Sequence, residues 1–302
     1  MSGKKRGAGR RKRNLVYDAI LLIALVVFLF CAYKLIGIYL DYKEASDTYS
    51  EVEREAMGDA QGPLIAPETE ASGQTSTVKV KKTVVKPGST RAASEPGETE
   101  APEETEVVEE EIPVYTFNGD PAALKRKNKD FIGWIYVPGT RINYPMVQAA
   151  DNDYYLRLTF DGVYNRAGSI FMDYLIRDGL DDKNPIIYGH NRKDGSMFAS
   201  LKKYQDRKFY ESHPYIYIFT EEGTRIYEVF SVYVTLPDSD TYTYYFQDDD
   251  QFLRYAAKMQ SQSIFRTGVV IGAEDQIITL STCTNREADT RFVVQAKRVY
   301  LE

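Results

Sequence analysis

The chain is poor in the residues on which disulfide scaffolds and cofactor chemistry depend. Only two cysteines and two histidines occur among its 302 residues. Two cysteines cannot hold together a domain of this length, so a disulfide-rich scaffold is excluded. The sequence also contains no cluster of metal ligands, no glycine-rich phosphate loop and no nucleotide signature. It therefore predicts no cofactor and no nucleic-acid partner, and any chemistry must come from its own side chains.

Acidic residues are missing from residues 3–13, which hold seven Lys or Arg, and charge of either sign is missing from residues 19–33. After Lys34 the apolar run resumes to Leu40. A helix over 19–40 would be about 33 Å long, which matches the hydrocarbon core of a bilayer. The basic flank favours a cytoplasmic N-terminus. We predict a basic cytoplasmic tail over 1–18 and a single transmembrane anchor over 19–40, followed by an extracellular remainder.

A cleaved signal peptide is the alternative, but the residues around Tyr33 lack the small side chains of a cleavage site. Residues 41–58 are rich in helix formers and predict a juxtamembrane helix. From 59 to 111 aromatic residues are absent, and Pro, Gly, Ser, Thr and Glu dominate. Such a composition buries too little apolar surface to fold by itself, so we predict a disordered acidic and Pro-rich tether.

Residues 112–302 have the composition of one globular domain, in which Tyr, Val, Ile and Phe recur in short runs. Strand-like runs lie at 132–137, 142–147, 167–173, 184–190, 215–220, 224–234, 276–283 and 291–301. Helical patterns lie after Asp120 and at 152–159, 197–212 and 248–265. Strands and helices do not alternate regularly. The pattern therefore predicts a mainly β fold, an antiparallel barrel or sandwich with peripheral helices.

Cys283 ends the apolar run IITLSTC and has no disulfide partner, because the other cysteine, Cys31, lies in the predicted anchor. A lone cysteine at the end of a strand is often a small packed side chain. It becomes a nucleophile when a base or a positive charge favours its thiolate. Its surroundings in the sequence decide between the two interpretations.

His190 ends another strand-like run, NPIIYGH, whereas His213 precedes a proline between a helix and a strand and is better explained as a turn residue. Arg291 opens the strand that should pair antiparallel with IITLSTC, which would bring it beside Cys283. Arg286, in the intervening loop, competes with Arg291 for the same role, and Arg298 lies farther along the last strand as an outward-facing charge. A thiol, an imidazole and a guanidinium together can carry out acyl transfer.

TLSTC, the following Arg291 and the stretch YGHN at 188–191 resemble the sortases, the cysteine transpeptidases mainly of Gram-positive bacterial surfaces. GWIYVPGTRINYPMVQ, DNDYYL, AGSIFMD and YGHNRKDGSMF are similar to class B sortases in particular. The resemblance covers residues 112–302. It implies an eight-stranded barrel with peripheral helices. Two departures are Thr284, where many sortases have Asp after the cysteine, and the length of the tether.

The resemblance implies a role for each matching residue. Cys283 would be the nucleophile, His190 the general acid or base, and Arg291 the group that holds the substrate and its oxyanion. Four further residues fall where class B enzymes contact the sorting peptide: Asn152, Leu156, Tyr188 and Ser281. The segment 241–245 would form another wall of the groove.

The implied reaction is cleavage of a C-terminal sorting signal of the NPxTx or LPxTG type in a secreted surface protein. The thioacyl enzyme would then transfer the protein to an amine of a peptidoglycan precursor or a pilin. Two alternatives stay open: a thiol endopeptidase, in which water resolves the same intermediate, and a membrane-tethered binding module without catalysis. An L,D-transpeptidase is disfavoured, because Thr282 and Thr284 replace the Gly and Arg expected beside its cysteine.

Overall fold

The computed structural model of the protein describes residues 15–58, 63–67, 76–85, 104–283 and 290–301. The chain divides into two compact units between Glu44 and Ala45, within the helix α1 (Leu15–Met57). The N-terminal part of α1 is long and apolar enough to be a candidate membrane span. No break separates the predicted anchor from the predicted juxtamembrane helix. Residues 1–14 of the predicted basic tail lie outside the described residues.

The second unit contains all the strands that the structure describes. They are β1 (Ile65–Pro67), β2 (Thr77–Val85), β3 (Thr105–Pro113), β4 (Tyr115–Phe117), β5 (Phe131–Tyr136), β6 (Asn143–Val147), β7 (Ile170–Met172), β8 (Ile186–His190), β9 (Tyr215–Thr220), β10 (Gly223–Thr235), β11 (Ile277–Cys283) and β12 (Arg291–Val299). The α-helices after α1 are α2 (Pro121–Lys127), α3 (Arg207–Ser212) and α4 (Asp249–Gln262). Short 3-10 helices lie at Tyr154–Leu156, Gly179–Asp181, Phe198–Gln205 and Asp240–Tyr242.

Strands β5 to β12 close into a barrel in the order β10-β12-β11-β8-β7-β6-β5-β9. Neighbouring strands are antiparallel except for the pairs β6–β7 and β8–β11. The predicted mainly β fold is thus confirmed, and the sheet closes into a barrel rather than splitting into a sandwich. Large aromatic side chains fill the core, and Trp134, Tyr217 and Tyr227 are fully buried.

Helix α4 covers one outer face of the barrel. Its N-cap is Asp248, whose carboxylate accepts a hydrogen bond from the backbone N–H of Gln251 at 2.7 Å. Phe252 and Met259 are buried in a second apolar cluster with residues of β10, β11 and β12. Apolar side chains on both faces of these strands explain why they appear in the sequence as nearly continuous hydrophobic runs.

The structure has β1, β2 and the first seven residues of β3 within residues 59–111, the stretch for which composition predicts a tether. Strands β2 and β3 pair antiparallel, with Lys79 opposite Glu111 and Lys81 opposite Glu109. Val80 and Ile112 are buried in the barrel's core cluster. Composition missed these strands because they are stabilised by cross-strand charge pairs and by packing on distant residues. The other parts of the predicted tether, 59–62, 68–75 and 86–103, lie outside the described residues.

Candidate functional site

Two strands of the barrel end side by side at the predicted nucleophile and base. Strands β8 and β11 run parallel, and their last recorded pair joins His190 to Cys283. One step earlier Gly189 pairs with Thr282. A Cβ atom on Gly189 would lie 2.6 Å from the Phe198 ring, so only glycine fits beside that side chain. The sequence thus allows β8 to pack closely just before it presents His190.

The imidazole of His190 is buried, with 9% of the residue exposed. Its Nε2 lies 2.7 Å from the backbone carbonyl oxygen of Leu156. A carbonyl can only accept, so Nε2 carries the proton and donates it. In the neutral ring, Nδ1 is then an unprotonated acceptor, and it has no hydrogen-bond partner among the described residues.

Burial lowers the pKa of His190 below its ordinary value. The positive charges of Arg192 and Arg157 act in the same direction, and the bond to the Leu156 carbonyl opposes them. At neutral pH the ring is therefore neutral and able to accept a proton at Nδ1. An imidazole in this state is suited to general acid-base chemistry.

Arg291 opens β12 at the same end of the barrel. It is half-buried and pairs with Thr235, the last residue of β10. The recorded β11–β12 pairs run from Ile277 with Lys297 to Ser281 with Val293. The same register, continued two residues, places Cys283 opposite Arg291. The backbone thus brings the three predicted catalytic positions to one end of three adjacent strands.

Asn152 and Tyr188, two of the predicted substrate contacts, share one carboxylate. Asp173 is buried, and its Oδ2 accepts hydrogen bonds from Asn152 Nδ2 and from the Tyr188 hydroxyl, each at 2.9 Å. Its Oδ1 accepts from the backbone N–H of Leu175 at 2.9 Å. The sequence-based prediction did not include Asp173. Its place at the end of the AGSIFMD run was the available signal.

Ser281, another predicted contact, lies in register with Tyr188 on the neighbouring strand. Its Oγ is 2.9 Å from the hydroxyl of Tyr242, in the predicted wall segment 241–245. The rings of Tyr188 and Tyr242 stack with their centroids 6.1 Å apart. Leu156, the fourth predicted contact, supplies the carbonyl that binds His190. The structure therefore joins Leu156 to His190, and it links Asn152, Tyr188 and Ser281 to one another through Asp173 and Tyr242.

A buried polar cluster holds this wall segment against the barrel. The Tyr255 hydroxyl donates to the Thr241 carbonyl at 2.8 Å, and Asn184 Nδ2 donates to the Thr243 carbonyl at 2.8 Å. Gln295 and Thr279 complete the cluster from β12 and β11. Both carbonyls that flank Tyr242 are thus fixed from inside. Sequence reasoning missed this cluster because its members are far apart along the chain.

The competing residues lie elsewhere. Arg298 is at the other end of β12, where its guanidinium contacts Asp181 at 3.3 Å and Gln276 at 2.6 Å. His213 caps α3 and stacks on Phe209. Arg286 and Thr284 lie outside the described residues. Within the described part of the chain, no group of three or more His, Cys, Asp or Glu residues is arranged to hold a metal ion.

Comparison with known proteins gives a consistent result. The sortase domain family matches residues 135–299. Sortase B of Listeria monocytogenes is 44% identical over 180 residues, which cover 58% of this chain and 72% of that protein. Sortase B of Staphylococcus aureus is 36% identical over 177 residues, with the same two shares of 58% and 72%.

Solved structures agree with the sequence comparisons. Sortase B from Bacillus anthracis in complex with AAEK1 matches with a TM-score of 0.62 and 32% identity, over 86% of this chain and 99% of that one. A Staphylococcus aureus sortase B–substrate complex matches with a TM-score of 0.58 and 34% identity, over 60% and 85%. With its closed eight-stranded barrel, the chain belongs to the sortase family of cysteine transpeptidases, as a class B sortase.

Proposed function

We propose that Cys283, His190 and Arg291 carry out transpeptidation of a C-terminal sorting signal of the NPxTx or LPxTG type. The observation that supports it most is the pairing of His190 with Cys283 at the ends of two parallel strands. The unpartnered Nδ1 of His190 adds to it, since it leaves one ring nitrogen available for proton transfer. Asn152, Leu156, Tyr188 and Ser281 bind the sorting peptide in this proposal, and 241–245 forms another wall of the groove.

The reaction has two balanced halves. The Cys283 thiol gives its proton to Nδ1 of His190, the thiolate attacks the Thr carbonyl carbon of the signal to form a C–S bond, and the peptide C–N bond breaks as His190 passes that proton to the departing amine. An incoming amine then attacks the thioester and gives its proton to Nδ1 of His190, the C–S bond breaks, and His190 returns the proton to the sulfur of Cys283. Arg291 stabilises the oxyanion of both tetrahedral intermediates.

The acceptor in this proposal is an amine of a peptidoglycan precursor or a pilin, and the substrates are secreted surface proteins. Residues 19–40 anchor the enzyme, with the tail 1–18 in the cytoplasm and the catalytic domain 112–302 outside. Residues 41–58 are the juxtamembrane helix, and residues 59–111 link it to the catalytic domain. Protease treatment of intact cells should remove an epitope at the C-terminus and spare one at the N-terminus. Cleavage of the N-terminal epitope instead would contradict this topology.

The catalytic proposal is tested with the full chain in detergent micelles. We would incubate it with a panel of fluorogenic NPxTx and LPxTG peptides, with and without triglycine as acceptor amine, and identify products by mass spectrometry. We expect a new amide with triglycine and a thioacyl adduct on Cys283. Cys283→Ala should form neither, and His190→Gln should turn over at least about 10²-fold more slowly.

Three other results of this assay would each contradict a different part of the proposal. An amide formed by Cys283→Ala would show that the nucleophile is another residue. A free acid as the sole product in the presence of triglycine would identify a thiol endopeptidase. No turnover of any peptide, together with a Cys283 thiol that resists alkylation at neutral pH, would favour the binding module.

A further inference from the structure

The second half of α1 carries one buried tyrosine, which contacts residues that hold the backbone around His190 in place. Tyr49 is 8% exposed. Its hydroxyl donates a hydrogen bond to the backbone carbonyl of Gly168 and lies 3.3 Å from Ser169 Oγ. Burial and these contacts leave the hydroxyl no access to solvent. The two residues that it binds lie just before β7 and contact the turn that holds His190.

Ser169 holds that turn on both sides of Leu156. Its backbone N–H donates to the Tyr155 carbonyl at 2.9 Å, and its Oγ donates to the Leu158 carbonyl at 2.9 Å. Between these two points the Leu156 carbonyl accepts the Nε2 proton of His190. The direction of that carbonyl is therefore fixed by Ser169, and Ser169 is in turn held by Tyr49.

Gly168 also couples Tyr49 to the Leu156 carbonyl, through close packing of the backbone. Its φ is +57°, and a Cβ atom there would lie 2.6 Å from the carbonyl oxygens of both Tyr155 and Leu156. Glycine is thus required for the two backbone segments to approach so closely. A shift of the Gly168 carbonyl, to which Tyr49 binds, would be transmitted directly to the Leu156 carbonyl.

Tyr49 also supports His190 from a second direction, through the loop that follows it. The Tyr49 ring packs edge-on against Tyr144, with centroids 5.2 Å apart and planes at 78°. The Tyr144 hydroxyl accepts a hydrogen bond from the backbone N–H of Met197 at 3.2 Å. Met197 has φ +55° and bridges back to Asn191, the residue after His190. Such a backbone conformation persists only where its surroundings hold it in place.

We propose that Tyr49 is a positioning residue for His190, so that the helix carrying the candidate membrane span also sets the orientation of the candidate catalytic imidazole. This inference rests on the proposed role of His190. Through Ser169 and Gly168, Tyr49 fixes the carbonyl that binds Nε2, and through Tyr144 it fixes the loop on the other side. Nδ1 is thereby kept as the unprotonated nitrogen that exchanges protons during acyl transfer.

The test uses the full chain in detergent micelles with ¹⁵N-labelled histidine. Only two histidines are present, so a His213→Asn variant assigns both rings. Tyr49→Phe removes the hydroxyl and keeps the ring. The matched control is Tyr217→Phe, which removes another buried tyrosine hydroxyl bound to a backbone carbonyl, that of Pro113 at 2.8 Å.

In the unmodified chain we expect His190 as the neutral tautomer with the proton on Nε2 and slow solvent exchange of that proton. Tyr49→Phe should accelerate the exchange about tenfold, the effect of losing one hydrogen bond of about 1.4 kcal/mol. It should also lower kcat for the peptide that is turned over fastest about tenfold while KM changes less than about twofold. Tyr217→Phe should leave both the His190 signals and kcat unchanged.

Unchanged His190 signals and an unchanged kcat in Tyr49→Phe would overturn the proposal, as would a loss of thermal stability alone. If Tyr49→Phe fails to fold, Ser169→Ala provides the second test. It removes the Oγ contacts to Tyr49 and Leu158 and should give the same faster Nε2 proton exchange. Full activity of His190→Gln would disprove the catalytic role of His190, whereas the NMR result would still report whether Tyr49 orients the ring.

Discussion

Glu228 and Arg225, at one end of the barrel, and His190, at the other, are buried with different partners. Around Glu228, buried charge is compensated: its carboxylate is 2.7 Å from Lys82 Nζ on β2, and Lys82 also pairs with Glu110 on β3. At the start of β10, Arg225 is buried and bound by Asp181 and Glu222. At the site end, the buried His190 keeps one nitrogen without a partner in the described part of the chain.

This difference separates stabilising from functional residues. The desolvation cost of a buried ion pair can exceed the attraction between its partners, and removing one partner costs about 3–5 kcal/mol because the other charge is left buried alone. An unsatisfied nitrogen beside a strained backbone lowers stability and is retained where chemistry needs it. We therefore expect substitutions at the site end to affect acyl transfer, and substitutions around Glu228 to affect unfolding.

Among the substitutions that compare the two ends of the barrel, the largest effect is expected at Arg291. Arg291→Gln should reduce acyl transfer by about 10²- to 10³-fold, because one oxyanion donor is lost, with no change in the midpoint of thermal unfolding. Arg291→Lys should retain part of the activity, since charge remains but the planar fork does not. Steady-state kinetics with the fluorogenic peptides measures both.

Arg298→Gln, on the same strand at the far end, is the control and should keep normal kinetics. Equal losses in Arg291→Gln and Arg298→Gln would show that the activity of Arg291→Gln falls for structural reasons. A lower midpoint of unfolding in Arg291→Gln would mean that the site end stabilises the fold as the Glu228 end does.

The complementary experiment removes Lys82. Lys82→Met leaves Glu228 buried without its cation, and the free energy of unfolding should fall by about 3 kcal/mol. Chemical denaturation monitored by tryptophan fluorescence measures this through the single, buried Trp134. Below the unfolding range kcat should be unchanged.

Lys79→Met is the matched control, because Lys79 is exposed on the same strand opposite Glu111 and should change stability by less than about 1 kcal/mol. Adding Glu228→Gln to Lys82→Met should recover part of the loss, since the unpaired charge is removed. Equal effects of the two lysine substitutions would show that the buried Lys82–Glu228 pair contributes no more to stability than the exposed Lys79 does.

The sequence could predict the strands of the barrel but not strands β2 and β3. The barrel strands were predictable because burial on both faces leaves dense runs of β-branched and aromatic residues, as in IGWIYV and YIYIFT. Strands β2 and β3 were not, because Lys82 and Glu110 resemble a solvated charge run until Glu228, far along the chain, is placed beside them. Local composition cannot register a stabilising partner that only the fold supplies.

At the site, the catalytic positions at strand ends could be predicted, but the hydrogen bonds that hold the side chains in place could not. Cys283, His190 and Arg291 each begin or end a strand-like run, which local sequence can show. The hydrogen bond from His190 to the Leu156 carbonyl and the carboxylate of Asp173 shared by Asn152 and Tyr188 depend on contacts between distant segments. No local pattern encodes such contacts.

A smaller effect is expected for the buried cluster behind the wall segment. Tyr255→Phe removes the hydroxyl that donates to the Thr241 carbonyl and should cost about 1 kcal/mol. If the wall binds substrate, KM should rise about fivefold, which corresponds to that free energy, while kcat stays within about twofold. Tyr217→Phe is again the control. A fall in kcat at constant KM would place the wall in the chemistry rather than in binding.

The smallest expected effect is a pH dependence of the free energy of unfolding, which has opposite signs for His190 and Glu228. Burial lowers the pKa of His190, so its contribution to stability is fully present above the pKa of an unfolded histidine, about 6.5, and is lost as the pH falls through the lower folded value. Burial raises the pKa of Glu228, so its contribution is fully present below the unfolded pKa of about 4.3 and is lost as the pH rises through the folded value. Unfolding free energies between pH 4 and 8 should therefore show that His190→Gln removes a loss on acidification, whereas Glu228→Gln removes a loss on alkalinisation. The same sign in both variants would mean that the two buried groups do not respond to pH through their own burial, and the contrast between the two ends of the barrel would not hold.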